Sequence, residues 1–136
     1  QMEALVEEHL KNACVEYYKE MYLTEIENKW NIDLSAVSAK GTSTKRWDFV
    51  VKTKNKIFVI ETNFYASSGS KLNETARSYK MIAEEAKEIP NFEFVWITDG
   101  AGWKDAKRNL EETFIVLENL YNITDMENGI LNRIFK

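Results

Sequence analysis

The sequence predicts an α/β domain, a mixed β-sheet of about four strands flanked by helices in the order α-β-β-β-α-β-α-α. Three observations carry this. Apolar residues recur at helical spacing near both ends and again after residue 70. Two short apolar runs, 46–53 and 56–65, meet at Lys54-Asn55 as a hairpin would. A third apolar run, Phe92 to Thr98, follows a helical segment, which makes a crossover that should be right-handed. At 136 residues, with 44% hydrophobic and 29% charged content, the chain suits one ordinary globular domain.

Residues 3–22 read as one amphipathic helix, with Leu5, Leu10, Ala13, Cys14, Tyr17 and Met21 on its apolar side. Cys14 is therefore expected in the core. Thr24 and Glu27 form either a new capping box or the end of that helix. Asn31 to Val37 alternates Ile32, Leu34 and Ala36 with polar residues, as a first strand does. Ser38 to Lys45, around Gly41, is a polar loop. The hairpin strands follow, then a small-residue loop, Ala66-Ser67-Ser68-Gly69-Ser70. Ser70 is placed to cap a helix reaching Glu88, with Leu72, Ala76, Tyr79, Ile82, Ala83 and Ala86 inward, and Pro90 closes it. After the buried strand come an Asp99-Gly100-Ala101-Gly102 loop and helices at 103–122 and 125–135. Trp30, Trp47 and Trp96 fit a core better than a base-stacking surface. The Asp99–Trp103 segment is either a structural turn packed by Trp103 or a DNA-facing loop.

No apolar run approaches the ~18 residues of a membrane span, so no membrane partner is expected. The single cysteine excludes an internal disulfide framework and fits a reducing compartment, hence a cytoplasmic location. A net charge of −4 argues against a generic nucleic-acid coat. The charge is uneven, however. Lys40, Lys45, Arg46, Lys52, Lys54 and Lys56 crowd one stretch that holds a single acid, Asp48. That stretch is either a solvated hairpin with edge lysines or a phosphate-facing patch.

Acids are rare in strands this apolar, yet Asp48 and Glu61 occupy one each. With a two-residue turn at Lys54-Asn55, Asp48 lies opposite Glu61, and Asn63 shares the face of Glu61. Two adjacent carboxylates repel unless a cation lies between them. Mg²⁺ takes such oxygen ligands, keeps several waters and can promote attack on phosphorus. The Thr62 carbonyl is a further candidate ligand. The plain alternative is a polar sheet end.

The order strand, hairpin, strand, Gly-Ser loop and basic helix resembles the PD-(D/E)xK nuclease superfamily. Arg46-Trp47-Asp48-Phe49-Val50, Glu61-Thr62-Asn63-Phe64-Tyr65, Gly69-Ser70-Lys71-Leu72-Asn73-Glu74, Ala76-Arg77-Ser78-Tyr79-Lys80 and Trp96-Ile97-Thr98-Asp99-Gly100-Ala101-Gly102-Trp103 are similar to the MboI/DpnII-type restriction endonucleases. The resemblance runs from about residue 45 to the C-terminus. It implies a restriction-endonuclease-like core and metal-dependent cleavage of double-stranded DNA at GATC. Mg²⁺ is the implied cofactor, with Mn²⁺ as an alternative. A homodimer and a cognate methyltransferase in the same system are implied too. Asp48 and Glu61 would bind metal. Asn63 stands where the superfamily usually carries Lys, so Lys71 becomes the candidate source of positive charge, or else a phosphate contact. Lys45, Arg46, Ser68, Ser70, Arg77 and Lys80 are candidate DNA contacts. Among the acids of the first helix (Glu3, Glu7 and Glu8), Glu7 is the one expected to join the metal site, against a plain exposed helix face. His9 reads as structural. Residues 1–136 are expected to be a single catalytic domain, the C-terminal part of a longer enzyme. The rival reading is a catalytically inactive or incomplete nuclease-fold domain that binds DNA or a protein partner.

Overall fold

The computed structural model describes residues 1–38, 45–67, 69–106 and 111–136, apart from the side chains at 38 and 112. The elements are α1 (Met2–Asn12), β1 (Glu16–Tyr22), α2 (Leu23–Trp30), α3 (Ser35–Ser38), β2 (Arg46–Lys52), β3 (Ile57–Phe64), α4 (Ser70–Ala86), β4 (Phe92–Asp99), α5 (Trp103–Ala106), α6 (Glu111–Val116), β5 (Leu120–Tyr121), α7 (Ile123–Glu127) and α8 (Ile130–Ile134). The strands form one sheet in sequential order. β1, β2 and β3 run antiparallel, and β4 and β5 join parallel beyond β3. None of the described helices is long and apolar enough to cross a membrane.

Alternating side chains feed two cores, one on each face of the sheet. Val50, Val59, Phe94 and Trp96 pack with Ile26 of α2, Val37 of α3 and Leu72, Ala76, Ala83 and Ala86 of α4. Phe49, Val51, Phe58, Ile60, Val95 and Ile97 pack with Val6 and Leu10 of α1, Met126 of α7 and Leu131 of α8. The inner face of α4 is mostly alanine, so the helix lies close to the sheet and Tyr79 reaches across it to Trp96, ring centroids 4.8 Å apart. The hairpin has the register that its turn predicts. Phe49 pairs with Ile60 and Lys52 with Ile57, and the Thr53 N–H donates to the Lys56 carbonyl at 2.9 Å.

Several expectations are corrected. Residues 3–22 are not one helix. Cys14 adopts φ 57°, which ends α1, and the chain continues as β1, one of the sheet's two edge strands. Tyr17 and Tyr18 suit a strand, and Cys14 is exposed instead of buried. Asn31 to Val37 is not a strand. Asn31, at φ 51°, ends α2, and the Glu27 carboxylate accepts the Leu34 N–H at 2.9 Å, folding the segment back before α3. Ser70 is the first residue of α4, and Gly69 holds the N-cap position. The single helix expected over 103–122 is replaced by α5, α6 and the short β5, with 107–110 outside the described residues. The sheet thus has five strands, not about four. The loop expected at Ser38 to Lys45 also lies largely outside the described residues.

Candidate active site

The site forms where the β2–β3 ladder ends. Paired residues run from Lys52–Ile57 to Phe49–Ile60. One step further, carboxylates replace carbonyls as acceptors. The Asp48 N–H donates to Glu61 Oε2 at 3.0 Å. The Thr62 N–H donates to Asp48 Oδ2 at 2.9 Å, and the Thr62 hydroxyl reaches the same oxygen at 3.2 Å.

An irregularity in β2 causes this opening. Trp47 and Val50 share the α4 core, whereas Phe49 and Val51 share the other. Strict alternation would put Trp47 with Phe49, so the alternation breaks at Asp48. On β1 the break faces Glu20, whose φ of 55° interrupts pairing between Lys19–Phe49 and Met21–Trp47. No extra residue is inserted, because the β1–β2 register is the same on both sides; the local break in backbone conformation re-aims the Asp48 side chain. Asp48 turns toward Thr62 and toward Glu3 of α1. Glu61 and Asn63 remain on the α4 side. The acids meet over the gap between the strands instead of standing side by side on one face.

Glu61 is 6% exposed. Its Oε1 accepts from Lys45 Nζ at 2.8 Å and from the Tyr79 hydroxyl at 3.0 Å. Burial pushes the Glu61 carboxyl above the usual range; Lys45 opposes this and the charge of Asp48 adds to it. Burial, and then the charge of Glu61, push the Tyr79 phenol far up, so it remains a donor. Lys45 Nζ lies 4.9 Å from the centre of the Trp47 ring and 5.8 Å from that of Tyr79. Asn63 Oδ1 accepts from Trp96 Nε1 at 2.8 Å, which leaves Nδ2 as the donor end of that amide. In an extended strand one residue's N–H and C=O face the same neighbour. The Thr62 carbonyl therefore faces β2 with its N–H, beside Asp48.

Of the α1 acids, the structure brings Glu3 and not Glu7 to this place. Although Glu3 is exposed, local desolvation, then the charge of Asp48 and a hydrogen bond with it, raise its carboxyl. Glu7 instead accepts from Tyr17 at 2.8 Å and Lys19 at 3.1 Å, and those bonds hold it below the usual range. Glu3 and Glu7 share one helix face at i, i+4 spacing. Only the position of α1 along the sheet separates them, and nothing local in the sequence reports that position.

The remaining candidates lie further out. Ser70, Lys71 and Arg77 are exposed on α4, and Lys80 is half-buried there. Arg46 pairs with Glu20 at 3.2 Å, with both side chains more than half exposed. Ser68 lies outside the described residues. The Asp99–Trp103 segment is held as a turn by its own contacts. Trp103 Nε1 donates to Thr98 Oγ1 at 2.9 Å, and the Gly102 N–H donates to the Tyr65 carbonyl at 3.0 Å.

The donors around the gap are all oxygen, which suits a hard divalent cation in kind. Among the described residues no group of three or more His, Cys, Asp or Glu is arranged to hold a metal. Such a donor set fits an ion that keeps most of its waters, not one enclosed by protein.

The family model described as DpnII restriction endonuclease matches residues 1–133. The chain is 58% identical over 117 residues to the type II restriction enzyme DpnII of Streptococcus pneumoniae, covering 86% of this chain and 41% of that protein. It is 42% identical over 119 residues to the type II restriction enzyme MboI of Moraxella bovis, covering 88% and 40%. It is 35% identical over 141 residues to the type II restriction enzyme MjaIII of Methanocaldococcus jannaschii, covering 98% and 47%. The chain thus spans less than half the length of these curated relatives. No solved structure matches it. On the family match and these identities, the chain belongs to the DpnII restriction endonuclease family.

Proposed function

We propose that this chain carries the catalytic centre of a type II restriction endonuclease on a PD-(D/E)xK core, hydrolysing phosphodiester bonds of double-stranded DNA at GATC. The observation that carries this reading is the Asp48–Glu61 pair at the open end of the β2–β3 ladder, in a chain of this family. Asp48 and Glu61 would hold Mg²⁺, or Mn²⁺ in its place, with the Thr62 carbonyl beside them. Bound there, the ion supplies Lewis-acid activation of water and neutralises charge at phosphorus. Asn63, its oxygen held by Trp96, directs an N–H donor toward the attacking water or a phosphate oxygen. Ser70 and Lys71 stand at the start of α4, where N–H groups and a cation favour phosphate. Arg77 and Lys80 extend that contact along α4. Two such chains in a two-fold dimer would each cut one strand of a palindromic target. A cognate methyltransferase would protect the host's own sites, and the enzyme would act in the cytoplasm.

The test is cleavage of unmethylated plasmid DNA with Mg²⁺, with and without EDTA, beside Asp48→Ala and Glu61→Ala. Discrete fragments with ends at GATC, lost with EDTA and in both variants, are the expected result. A folded protein that leaves the plasmid intact supports the second reading, a DNA-binding domain without catalysis. Asn63 in the position usually held by Lys favours that reading. In that case Asp48→Ala should keep the wild-type DNA affinity.

A further inference from the structure

We propose that Lys45 is the positioning cation of this centre, fixing the Glu61 carboxylate and balancing the acid pair as a phosphate approaches. The proposal rests on the nuclease reading above and names a role for a residue that the sequence suggested only as a DNA contact.

Three observations carry it. The first is charge. Asp48 and Glu61 meet at one gap, with Glu3 beside Asp48, and an incoming phosphate adds more negative charge. Among the described residues Lys45 is the cation that pairs directly with Glu61; of these acids, the charge of Lys19 is felt only at Glu3. Arg46, Lys19 and Lys56 are each paired elsewhere, with Glu20, Glu7 and Glu93. The second is restraint. The Lys45 carbonyl accepts the Leu23 N–H at 3.0 Å, and Arg46 then pairs with Tyr22 in the sheet. The ammonium lies over the faces of Trp47 and Tyr79, and its stem lines a hollow with Val37, Met81 and Ile82. The third is environment. The Lys45 side chain is 25% exposed and that of Glu61 8%, so their attraction is screened less than at the open surface. A lysine that merely meets the DNA backbone needs none of this; Lys71, exposed on α4, has the character of such a contact.

The geometry sets an unusual pair of outcomes. Lys45 donates to the same Glu61 oxygen as Tyr79. Removing its charge should therefore let a divalent cation bind more tightly at the acids, while cleavage becomes slower. Loss of structure would weaken both.

Lys45→Met keeps the aliphatic stem, and Lys45→Arg keeps the charge. Single-turnover cleavage at saturating DNA should fall ~100-fold in Lys45→Met, the scale for removing one preorganised electrostatic group. DNA affinity measured with Ca²⁺ should stay within ~3-fold, so the loss lies in the rate and not in binding. Mn²⁺ affinity without DNA, by calorimetry, should rise several-fold, roughly as expected from removing one nearby positive charge. Lys45→Arg should recover at least ~10-fold of the lost rate, because the charge returns in a different shape. Lys45→Met that cuts at nearly the wild-type rate overturns the proposal. So does a rate that falls only as DNA affinity falls, or a joint fall in rate and Mn²⁺ affinity. If the wild type cuts and Asp48→Ala does not, the nuclease reading stands whatever Lys45→Met does. If the wild type neither cuts nor binds Mn²⁺, both fall together.

Discussion

Asn63 is held by its oxygen, and this sets what the residue can offer. A free amide presents either end. The indole N–H of Trp96, fully buried and 2.8 Å from Oδ1, turns the NH₂ outward. Trp96→Phe should remove that preference, lowering kcat about 10-fold with KM little changed, on the scale of a misplaced hydrogen-bond donor. The Trp96 indole proton should also shift in an NMR spectrum of Asn63→Ala, and a resonance that does not move would mean the bond is absent in solution. Glu3 gives a second prediction. Glu3→Gln should weaken Mn²⁺ binding by ~10-fold, as loss of a supporting group around a metal site does. Glu7→Gln should not, because Glu7 is spent on Tyr17 and Lys19; equal effects from the two would mean that α1 sits differently on the sheet. At this scale Asp48 and Glu61 were legible because acids stand out in apolar strands. The contacts Lys45–Glu61 and Trp96–Asn63 were not, because they join residues 16 and 33 apart that only the fold brings together.

At the scale of elements, the β2–β3 hairpin was legible because its turn fixes the register. β1 was not. Tyr17 and Met21 fall at helical spacing from Leu10 and Cys14, and an edge strand interrupted at Glu20 shows no clean alternation, so the helical period won. β5 was hidden for another reason. Two residues cannot show a period, and Leu120-Tyr121 is strand only because β4 offers an edge. The turn after β4 is more demanding than its Asp-Gly text suggests. Gly100 has φ 120°, and a Cβ there would lie 2.1 Å from the Tyr65 carbonyl oxygen. Gly100→Ala should cost at least about 3 kcal/mol in urea denaturation, from backbone strain plus a clash with main chain that cannot give way. An unchanged midpoint would mean that the turn differs in solution. The Lys56–Glu93 ion pair ties the hairpin turn to β4, and Asn119, just before β5, donates to Glu93 at 2.8 Å. Burial pushes the Glu93 carboxyl up, but these bonds outweigh it and hold the group below its ordinary value of 4.5. A depressed carboxylate stabilises the fold above the unfolded value, and that contribution disappears as pH falls through the folded one. Lys56→Met should therefore cost stability at pH 7, by at most about 1 kcal/mol given the exposure of both side chains. The cost should shrink below pH 4.5, as thermal melts across that range would show.

At the scale of the whole molecule, a chain of net charge −4 has no broad field that attracts DNA, so any binding must come from a local face. Arg77 and Lys80, which share one face of α4 at i, i+3 spacing, are the proposed source of such a face. Arg46 contributes less, because Glu20 already holds its guanidinium. DNA affinity should then fall steeply with salt, with a slope of about −0.9 per phosphate contacted. This slope also counts protomers. If two chains clasp one palindromic duplex about a shared two-fold axis, each substitution removes two contacts. Arg77→Met should then lessen the slope by about 1.8 per duplex, against about 0.9 for a single chain. Arg46→Met should change it little. Fluorescence anisotropy on a short GATC duplex, titrated at several salt concentrations, measures both. A change near 1.8 with Arg77→Met and near zero with Arg46→Met would place α4 against the backbone of both strands. Equal changes from the two arginines would mean that Glu20 releases Arg46 to the DNA, and the contact face would then extend across β1 and β2. A change near 0.9 would mean that one chain binds alone, and the second cut would have to come from a separate encounter.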